Sequence, residues 1–221
     1  MLKKWLSYFL PMNVVKKPSA LSKAIEITWN NGQLVMDSAQ TNYSYGSLQR
    51  ILRKGLHYIG FDKIVAMNHV LVLGVAGGSV IKTMVDEINY KKRITGVEID
   101  PGIIALANEY FALDSIGNLE MVIDDAFDFV LKTKEKYDLI IVDIFQDIVM
   151  PNFLFEQFFA NRLGYLLRED GFILFNTMCL KETDTQRNND YLKHFDSTAF
   201  TAIKIPRVEE HNELIVIQKI K

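Results

Sequence analysis

The chain has 221 residues, a formal net charge of −2, 49% hydrophobic and 24% charged residues. These values exclude a disordered chain and a disulfide-stapled miniprotein, and they predict one α/β domain with an accessory piece. Because no global positive field could hold a nucleic-acid backbone, we expect no nucleic-acid partner. The single cysteine, Cys179, excludes a cysteine-rich metal site and favours a reducing compartment, so we expect a cytoplasmic protein without a metal.

The first ten residues, MLKKWLSYFL, have an amphipathic pattern. Their apolar side chains recur at the spacing of one helix face, which predicts a helix. Three interpretations are open: a poor signal peptide, a membrane-surface helix, or a helix docked on its own domain or a twin subunit. The pattern favours the last, and with it a homodimer. No apolar run is long enough to span a bilayer, so we expect no integral membrane segment.

A hairpin and a helix are predicted next. Asn30-Asn31-Gly32 separates the β-prone runs Ala24–Trp29 and Gln33–Asp37, and Asn-Gly favours a tight turn. Ser47–Ile59 has one apolar helix face and is followed by Gly60 at the position of a C-cap glycine. We therefore treat residues 1–65 as an N-terminal extension and residues 66–221 as the main domain.

The rest of the chain alternates strand-like and helix-like segments, which predicts a parallel, doubly wound sheet. The last two strands have only a turn between them, so one should be antiparallel. The predicted fold is a three-layer α/β domain with a mostly parallel seven-stranded sheet. The predicted strands are His69–Leu73, Arg93–Glu98, Leu119–Ile123, Tyr137–Asp143, Gly171–Asn176, Ala199–Ile205 and Glu213–Lys219. The predicted helices are Ser79–Asn89, Pro101–Phe111, Asp125–Thr133, Phe153–Leu167 and Asp184–Phe195.

Three strand ends carry a nucleotide-type pattern. Gly74-Val75-Ala76-Gly77-Gly78-Ser79 follows the first strand, where glycines let a ligand approach the backbone. The second strand ends in Glu98, placed to accept hydrogen bonds from ribose hydroxyls. Asp125, after the third strand, can accept from an adenine amino group, cap a helix, or do both.

The loop fits a dinucleotide poorly. A G-x-G-x-x-G fingerprint requires glycine at position 76 and glycine or alanine at 79, where this chain has Ala76 and Ser79. A looser glycine loop is enough for S-adenosylmethionine, which has no pyrophosphate. A tight turn without a ligand is the alternative.

These motifs together resemble the spermidine synthases, within the class I S-adenosylmethionine-dependent methyltransferase superfamily. The matching stretches are VLVLGVAGGS (70–79), GVEIDPGIIALANEYF (96–111), VIDDAFDFV (122–130) and YDLIIVDIFQD (137–147). The Glu98-Ile99-Asp100-Pro101 run is the most specific of them. The resemblance implies a Rossmann-like methyltransferase fold and a ligand that is S-adenosylmethionine, its decarboxylated form or methylthioadenosine.

The resemblance also implies residue roles. Gly74, Ala76 and Gly78 would line the methionine side of the ligand. Glu98, with Ile99 beside it, would hold the ribose, and Asp125 and Ala126 would contact the adenine. Asp143 would face the methionine amine and the reacting centre. Gln40 falls near a glutamine of the family that touches the cofactor.

The chain departs from the family on the acceptor side. Where spermidine synthases have Asp-Glu and Tyr-His-Glu, this sequence has Thr41–Ser47, in which Tyr45 alone is retained. Gln146 stands where the family has the aspartate that deprotonates the attacking amine, and Asp147 is one step along. We expect Asp143 and Asp147 as catalytic residues, and Tyr43, Tyr45 and Gln146 as substrate-binding residues.

We predict a transferase that uses S-adenosylmethionine on a small molecule, because the acidic groups suited to a dicationic amine are missing. Aminopropyl transfer to a polyamine precursor is the first alternative. A non-catalytic relative that binds a nucleoside or a protein partner is the second.

Overall fold

The computed structural model describes residues 2–19, 24–38, 42–146, 149–209 and 211–221. Gln40 and Asp147, two predicted site residues, lie outside the described residues. The side chain of Tyr43 also lies outside the description, although its backbone belongs to a strand.

The N-terminal part forms an antiparallel sheet in which the described strands follow chain order. Its elements are α1 (Leu2–Leu6), β1 (Met12–Lys17), β2 (Ile25–Asn30), β3 (Gln33–Ser38) and β4 (Asn42–Ser44). The predicted hairpin is confirmed, because β2 pairs with β3 across Asn31 and Gly32, which have φ of 47° and 75°. Both residues of a tight hairpin turn require a positive φ, which Asn and Gly tolerate.

The short helix α1 is held by polar contacts. The Ser7 carbonyl accepts from the Asn31 amide at 3.0 Å, and the Ser7 hydroxyl oxygen accepts from the Gly32 amide at 3.0 Å. Trp5 is 62% exposed and Phe9 72% exposed. The segment lies against its own domain, attached by Ser7 at the hairpin turn, while most of the predicted apolar face is exposed, so docking on a twin subunit stays a prediction. The other interpretations of this helix stay open.

The main part alternates helices and strands as predicted, although the α-helices within the predicted Ser79–Asn89 and Phe153–Leu167 are shorter than expected. Its helices are α2 (Gly46–Ile59), α3 (Phe61–Ala66), α4 (Ser79–Lys82), α5 (Pro101–Phe111), α6 (Ala126–Lys132), α7 (Gln157–Leu166) and α8 (Glu182–Leu192). Its strands are β5 (His69–Leu73), β6 (Arg93–Glu98), β7 (Leu119–Ile123), β8 (Tyr137–Val142), β9 (Leu167–Met178), β10 (Phe200–Glu209) and β11 (Asn212–Lys219). A π-helical turn at Thr83–Glu87 follows α4, and a 3₁₀ turn at Asn152–Phe155 precedes α7.

The second sheet has seven described strands in the order β10-β11-β9-β8-β5-β6-β7. The pairs β9–β8, β8–β5, β5–β6 and β6–β7 are parallel, whereas β11 is antiparallel to both of its neighbours. The predicted Rossmann-like methyltransferase fold with one antiparallel strand is confirmed. The most apolar strand, β8, lies at the centre, as expected for a strand covered on both faces.

Alternating side chains of the central strands supply the two faces of the sheet. Val70 and Val72 belong to the core beneath α2 and α4, while Leu71 and Leu73 belong to the core beneath α7 and α8. Gly55 brings α2 close to the sheet, since a Cβ there would lie 2.5 Å from Leu174 Cδ1. The division of the chain at residue 65 stays a prediction, and α2, which lies before it, packs on this sheet.

A third apolar cluster joins the N-terminal sheet to the main part. Ile25, Ile27 and Met36 of that sheet pack with residues of α5, including Ile103 and Phe111. The Asp100 carboxylate also accepts a hydrogen bond from Ser19 Oγ at 2.7 Å, directly before α5. The N-terminal sheet is thereby fixed beside the carboxyl ends of the parallel strands.

Of the described helices, α2 is the longest with 14 residues, and none combines the length and apolar character needed to cross a membrane.

Candidate functional site

A cavity lies along the carboxyl ends of the parallel strands, where ligands bind in open α/β sheets. Its lining follows the strand order. From one end to the other it includes Asp124 and Asp125 after β7, Glu98 and Ile99 at β6, Gly74 and Ala76 after β5, Asp143 after β8, Asn176 and Met178 of β9, and Asn212 of β11. The motifs predicted separately therefore meet in one site.

The glycine loop after β5 owes its path to close packing. Gly74 has φ of 84°, and a Cβ there would lie 2.2 Å from the carbonyl oxygen of Asp143. Gly78 has φ of 78°, and a Cβ there would lie 2.5 Å from Leu113 Cδ1. Gly74 and Ala76 line the cavity, whereas Gly78 packs against Leu113 instead. The loop is thus pressed against the end of β8, which brings Asp143 close to it.

Glu98 supports this loop through backbone hydrogen bonds. Oε2 accepts from the amides of Val75 at 3.1 Å and Ala76 at 3.0 Å. Oε1 accepts from the amides of Ile99 at 3.0 Å and Asp100 at 3.2 Å. Burial raises the pKa of Glu98, and the four backbone hydrogen bonds oppose that rise. Sequence reasoning missed this supporting role, because it depends on how the loop folds back.

Glu98 is 7% exposed, yet it lines the cavity. A carboxylate offers about four acceptor positions, so ribose hydroxyls would share its oxygens with the loop amides. The predicted ribose contact stays a prediction. Ile99, next to it, is 40% exposed and offers an apolar surface to a ligand.

Two aspartates close the β7 end of the cavity. Asp125 caps α6, since its Oδ1 accepts from the Phe127 amide at 2.7 Å. Asp124 Oδ1 accepts from the Asp125 amide at 2.9 Å. The predicted N-cap is confirmed, and Ala126 lines the cavity beside it. Contact of Asp125 and Ala126 with adenine stays a prediction.

Asp143 is the central acid of the site. Its Oδ1 accepts from Asn176 Nδ2 at 2.9 Å, and the Asn176 side-chain oxygen accepts from Asn212 Nδ2 at 3.0 Å. Burial raises the pKa of Asp143 to about 7; the Asn176 hydrogen bond lowers this pKa and the negative charge of Glu98 raises it. Asp143 can therefore exist in both protonation states near neutral pH, which suits a group that accepts a proton.

Asn176 and Asn212 were not predicted as site residues. The signal was present for Asn176, because it ends the apolar run Phe172–Phe175 on a strand next to β8. Asn212 does not follow an apolar strand. It is the first residue of β11, and it reaches the carboxyl ends of the parallel strands because β11 is antiparallel to β9.

The charged side chains that line the cavity are all acidic among its described residues. Four carboxylates line it, and the described residues of its lining include no lysine, arginine or histidine. The carboxylates are Glu98, Asp124, Asp125 and Asp143. Such a site favours a cationic ligand. In the part of the chain that the structure describes, no cluster of acidic, histidine and cysteine side chains could hold a metal ion.

Two further predicted residues differ in their placement. Gln146 lines the cavity next to Phe145, and its role in binding a substrate stays a prediction. Tyr45 does not line it: the ring stacks on Phe111 with centroids 4.4 Å apart, and its hydroxyl has no hydrogen-bond partner among the described residues. Burial, with Asp86 adding a smaller effect, raises the pKa of Tyr45. The substrate roles of Tyr43 and Tyr45 stay predictions.

Solved structures with the same fold include enzymes of two kinds. A spermidine synthase in complex with the transition-state analogue AdoDATO has a TM-score of 0.70 at 18% identity, over 94% of this chain and 74% of that one. The spermidine synthase from Thermotoga maritima has a TM-score of 0.67 at 16% identity, over 95% and 73%. Human methyltransferase-like protein 13 in complex with SAH has a TM-score of 0.63 at 21% identity, over 80% and 83%. At these identities the likeness shows the fold.

Sequence comparison is more specific. The polyamine aminopropyltransferase of Yersinia pestis (strain Pestoides F) is 31% identical over 145 residues, which are 62% of this chain and 49% of the relative. The chain spans about half the length of the curated relatives it matches. The model of the spermine/spermidine synthase domain matches residues 53–219, well over half of the chain. The chain therefore belongs to the spermine/spermidine synthase domain family.

Proposed function

We propose that this chain transfers an aminopropyl group from decarboxylated S-adenosylmethionine to an amine. The observation that carries the proposal is the one-sided charge of the cavity, with four carboxylates and no basic side chain among its described lining. Family membership supports the same reaction class.

The charge of the cavity separates the two sulfonium donors. S-adenosylmethionine carries a carboxylate as well as an ammonium, and the carboxylate would need a basic side chain or free backbone amides. The amides of Val75 and Ala76, which are nearest in the loop, already donate to Glu98. Decarboxylated S-adenosylmethionine carries only positive charge at that end, which the acidic lining of the cavity stabilises, with Asp143 beside the glycine loop. The expectation of methyl transfer loses its support on this ground.

The donor binding site would run from β5 to β7. Gly74 and Ala76 would allow the donor to approach the backbone, and Glu98 with Ile99 would lie beside the ribose. Asp125 and Ala126 would lie beside the adenine. The bound donor supplies a carbon activated by an adjacent sulfonium sulfur. Gln40 and Asp147 stay predictions, as do a cytoplasmic location and a homodimer.

Asp143 would orient and deprotonate the reacting amine. It lies between the strand ends predicted to hold the donor and the neighbouring strands β9 and β11. Asn176 fixes one oxygen of this carboxylate, and we infer that the other oxygen receives the proton of the amine. With a pKa of about 7, the carboxylate accepts a proton at neutral pH without holding it too firmly.

Product analysis tests the proposal. The purified chain is incubated with decarboxylated S-adenosylmethionine and a set of primary amines that includes butylamine and putrescine, and methylthioadenosine is quantified. We expect methylthioadenosine to form only when an amine is present. Formation of S-adenosylhomocysteine from S-adenosylmethionine, with no methylthioadenosine in the first reaction, would show methyl transfer instead. No product in either reaction would favour a non-catalytic relative.

A further inference from the structure

We propose that the amine acceptor is a primary monoamine whose remainder is uncharged and mainly apolar, and not a diamine. This inference rests on the proposed function, because it concerns the acceptor of the same site. It follows from how charge is distributed along the cavity.

Strand order defines the two halves of the cavity. The donor half lies at β7, β6 and β5 and contains Glu98, Asp124 and Asp125. Asp143 lies at the end of β8, in the middle of the sheet. The acceptor half lies at β9 and β11, while α2 contacts both these strands and α4 and lines the cavity with Leu48 and Ile51. An amine that reacts beside Asp143 therefore extends over β9 and β11.

The acceptor half is neutral among its described residues. It presents the amides of Asn176 and Asn212, the thioether of Met178, and the apolar side chains of Leu48 and Ile51 from α2. Gln146 completes it beside Phe145 with a third amide. None of these groups is charged at neutral pH, and Asp147 lies outside the described residues.

A diamine would place its second ammonium in this half. Moving an ammonium from water to a place where the described side chains include no carboxylate is unfavourable, because amide dipoles replace its hydration only in part. An alkyl chain in the same place needs no charged partner and gains apolar contact, for example with Met178. The Asn212 side chain donates through its nitrogen to Asn176, which orients this amide at the cavity wall.

The reaction itself needs one charged group in this region. The acceptor amine, which is an ammonium in water at neutral pH, first gives one proton to the Asp143 carboxylate, which passes it to water. The nitrogen lone pair that this frees forms a bond to the carbon beside the donor's sulfonium sulfur. The carbon–sulfur bond breaks, its electron pair remains on sulfur, and methylthioadenosine leaves as a neutral thioether. The product leaves with its new secondary amine protonated. Asp143 is sufficient for this proton transfer, so no second carboxylate is required.

A comparison of butylamine with putrescine tests the inference, because the two share the same carbon chain and differ in the second amine. We measure kcat/KM from methylthioadenosine release with saturating decarboxylated S-adenosylmethionine. We expect kcat/KM for butylamine to exceed kcat/KM for putrescine by about tenfold or more, because the second ammonium of putrescine loses its hydration without gaining a charged partner. A preference for putrescine in the natural chain would overturn the inference while leaving the proposed function intact. Release with neither amine would overturn the proposed function and this inference with it.

A matched pair of variants sharpens the test. Gln146→Glu adds a carboxylate to the acceptor half without a change of shape, and we expect it to raise the putrescine-to-butylamine ratio by about tenfold. Gln157→Glu makes the same change on an exposed residue at the start of α7, away from the cavity, and should leave the ratio unchanged. If both variants change the ratio equally, or if Gln146→Glu leaves it unchanged, the charge of the acceptor half does not select the amine.

Discussion

The donor half and the acceptor half of the cavity are built in different ways. In the donor half the carboxylates are hydrogen-bonded to the backbone. Glu98 accepts hydrogen bonds from four backbone amides, and Asp125 caps α6. In the acceptor half the polar groups are side-chain amides, held by each other and by Asp143. The carboxylates of the donor half are thus fixed by the backbone, whereas the acid of the reaction, Asp143, is fixed by a chain of two side-chain amides, of which Asn176 is fully buried.

The largest effect is expected from Glu98→Ala in the donor half. The variant leaves four backbone amides without their acceptor and removes one of the four carboxylates that line the cavity. We expect donor affinity to fall by about 100-fold or more, because a buried charged group with several partners is lost. Calorimetry with decarboxylated S-adenosylmethionine measures this.

Glu120→Ala is the control for that variant. Glu120 is an exposed carboxylate on β7 whose partner is Arg93, and it does not line the cavity. We expect its donor affinity to match that of the natural chain. If the Glu98→Ala variant binds the donor as tightly as this control does, the donor does not bind beside Glu98.

The next effect is expected from Asp143→Asn, at the boundary between the halves. The amide cannot accept the proton, so kcat should fall by about 100- to 1000-fold. In the natural chain kcat/KM should rise as the pH passes about 7, where Asp143 becomes ionised, and the variant should lose this rise. Asp138→Asn, on the same strand but bonded to the amides of Asn68 and His69, should keep both the rate and the pH profile.

Asp143→Asn should lose catalytic rate but gain thermodynamic stability. Because the folded-state pKa of Asp143 is raised, its ionisation opposes folding, and the natural chain loses stability as the pH rises from about 4 to about 7. Above that interval Asp143→Asn should be more stable by about 1–2 kcal/mol. Thermal unfolding at acidic and at mildly alkaline pH measures the difference. A variant less stable than the natural chain under both conditions would contradict the raised pKa.

A smaller effect is expected from Asn176→Ala in the acceptor half. The hydrogen bond from Asn176 lowers the pKa of Asp143, so its loss should shift the pH profile of kcat/KM upward by about 0.5–1 pH unit. At neutral pH the rate should fall several-fold, and a higher pH should restore much of it. A uniform loss of rate at every pH would indicate a structural role alone.

The smallest effect is expected from Asp125→Ser, which separates the two roles of that residue. Serine keeps the cap of α6 but is too short to reach an adenine, so stability should stay within about 0.5 kcal/mol. Donor affinity should fall by about three- to tenfold if the adenine contact is made. Asp125→Ala is the companion variant and should also lose about 1 kcal/mol of stability. Unchanged affinity in both variants would leave Asp125 as a cap only.

Four of the five parallel strands could be predicted almost residue by residue, whereas β9 (Leu167–Met178) extends beyond the predicted Gly171–Asn176 at both ends. His69–Leu73, Arg93–Glu98 and Leu119–Ile123 have the predicted bounds, because short apolar runs end at Gly, Glu and Asp with local turn preferences. The strands β1 and β4 were missed, since Met12–Lys17 and Asn42–Ser44 have no clear alternation and depend on their partners.

The candidate site was predictable where one stretch of chain supplies both the motif and the geometry. Gly74, Glu98 and Asp125 follow their strands directly and line the cavity. The contact of Asp143 with Asn176 joins residues far apart in sequence, and it requires the order of β8 and β9 to be known. The pairing of Glu98 with the loop amides likewise depends on the path of the loop, which no periodicity encodes.

The most direct test of the central claim compares the affinities of the natural chain for the two sulfonium donors. The site has carboxylates and no described basic side chain in its lining, so the donor without a carboxylate should bind more tightly. Calorimetry should show decarboxylated S-adenosylmethionine bound at least about tenfold more tightly than S-adenosylmethionine. Equal or tighter binding of S-adenosylmethionine would contradict the account.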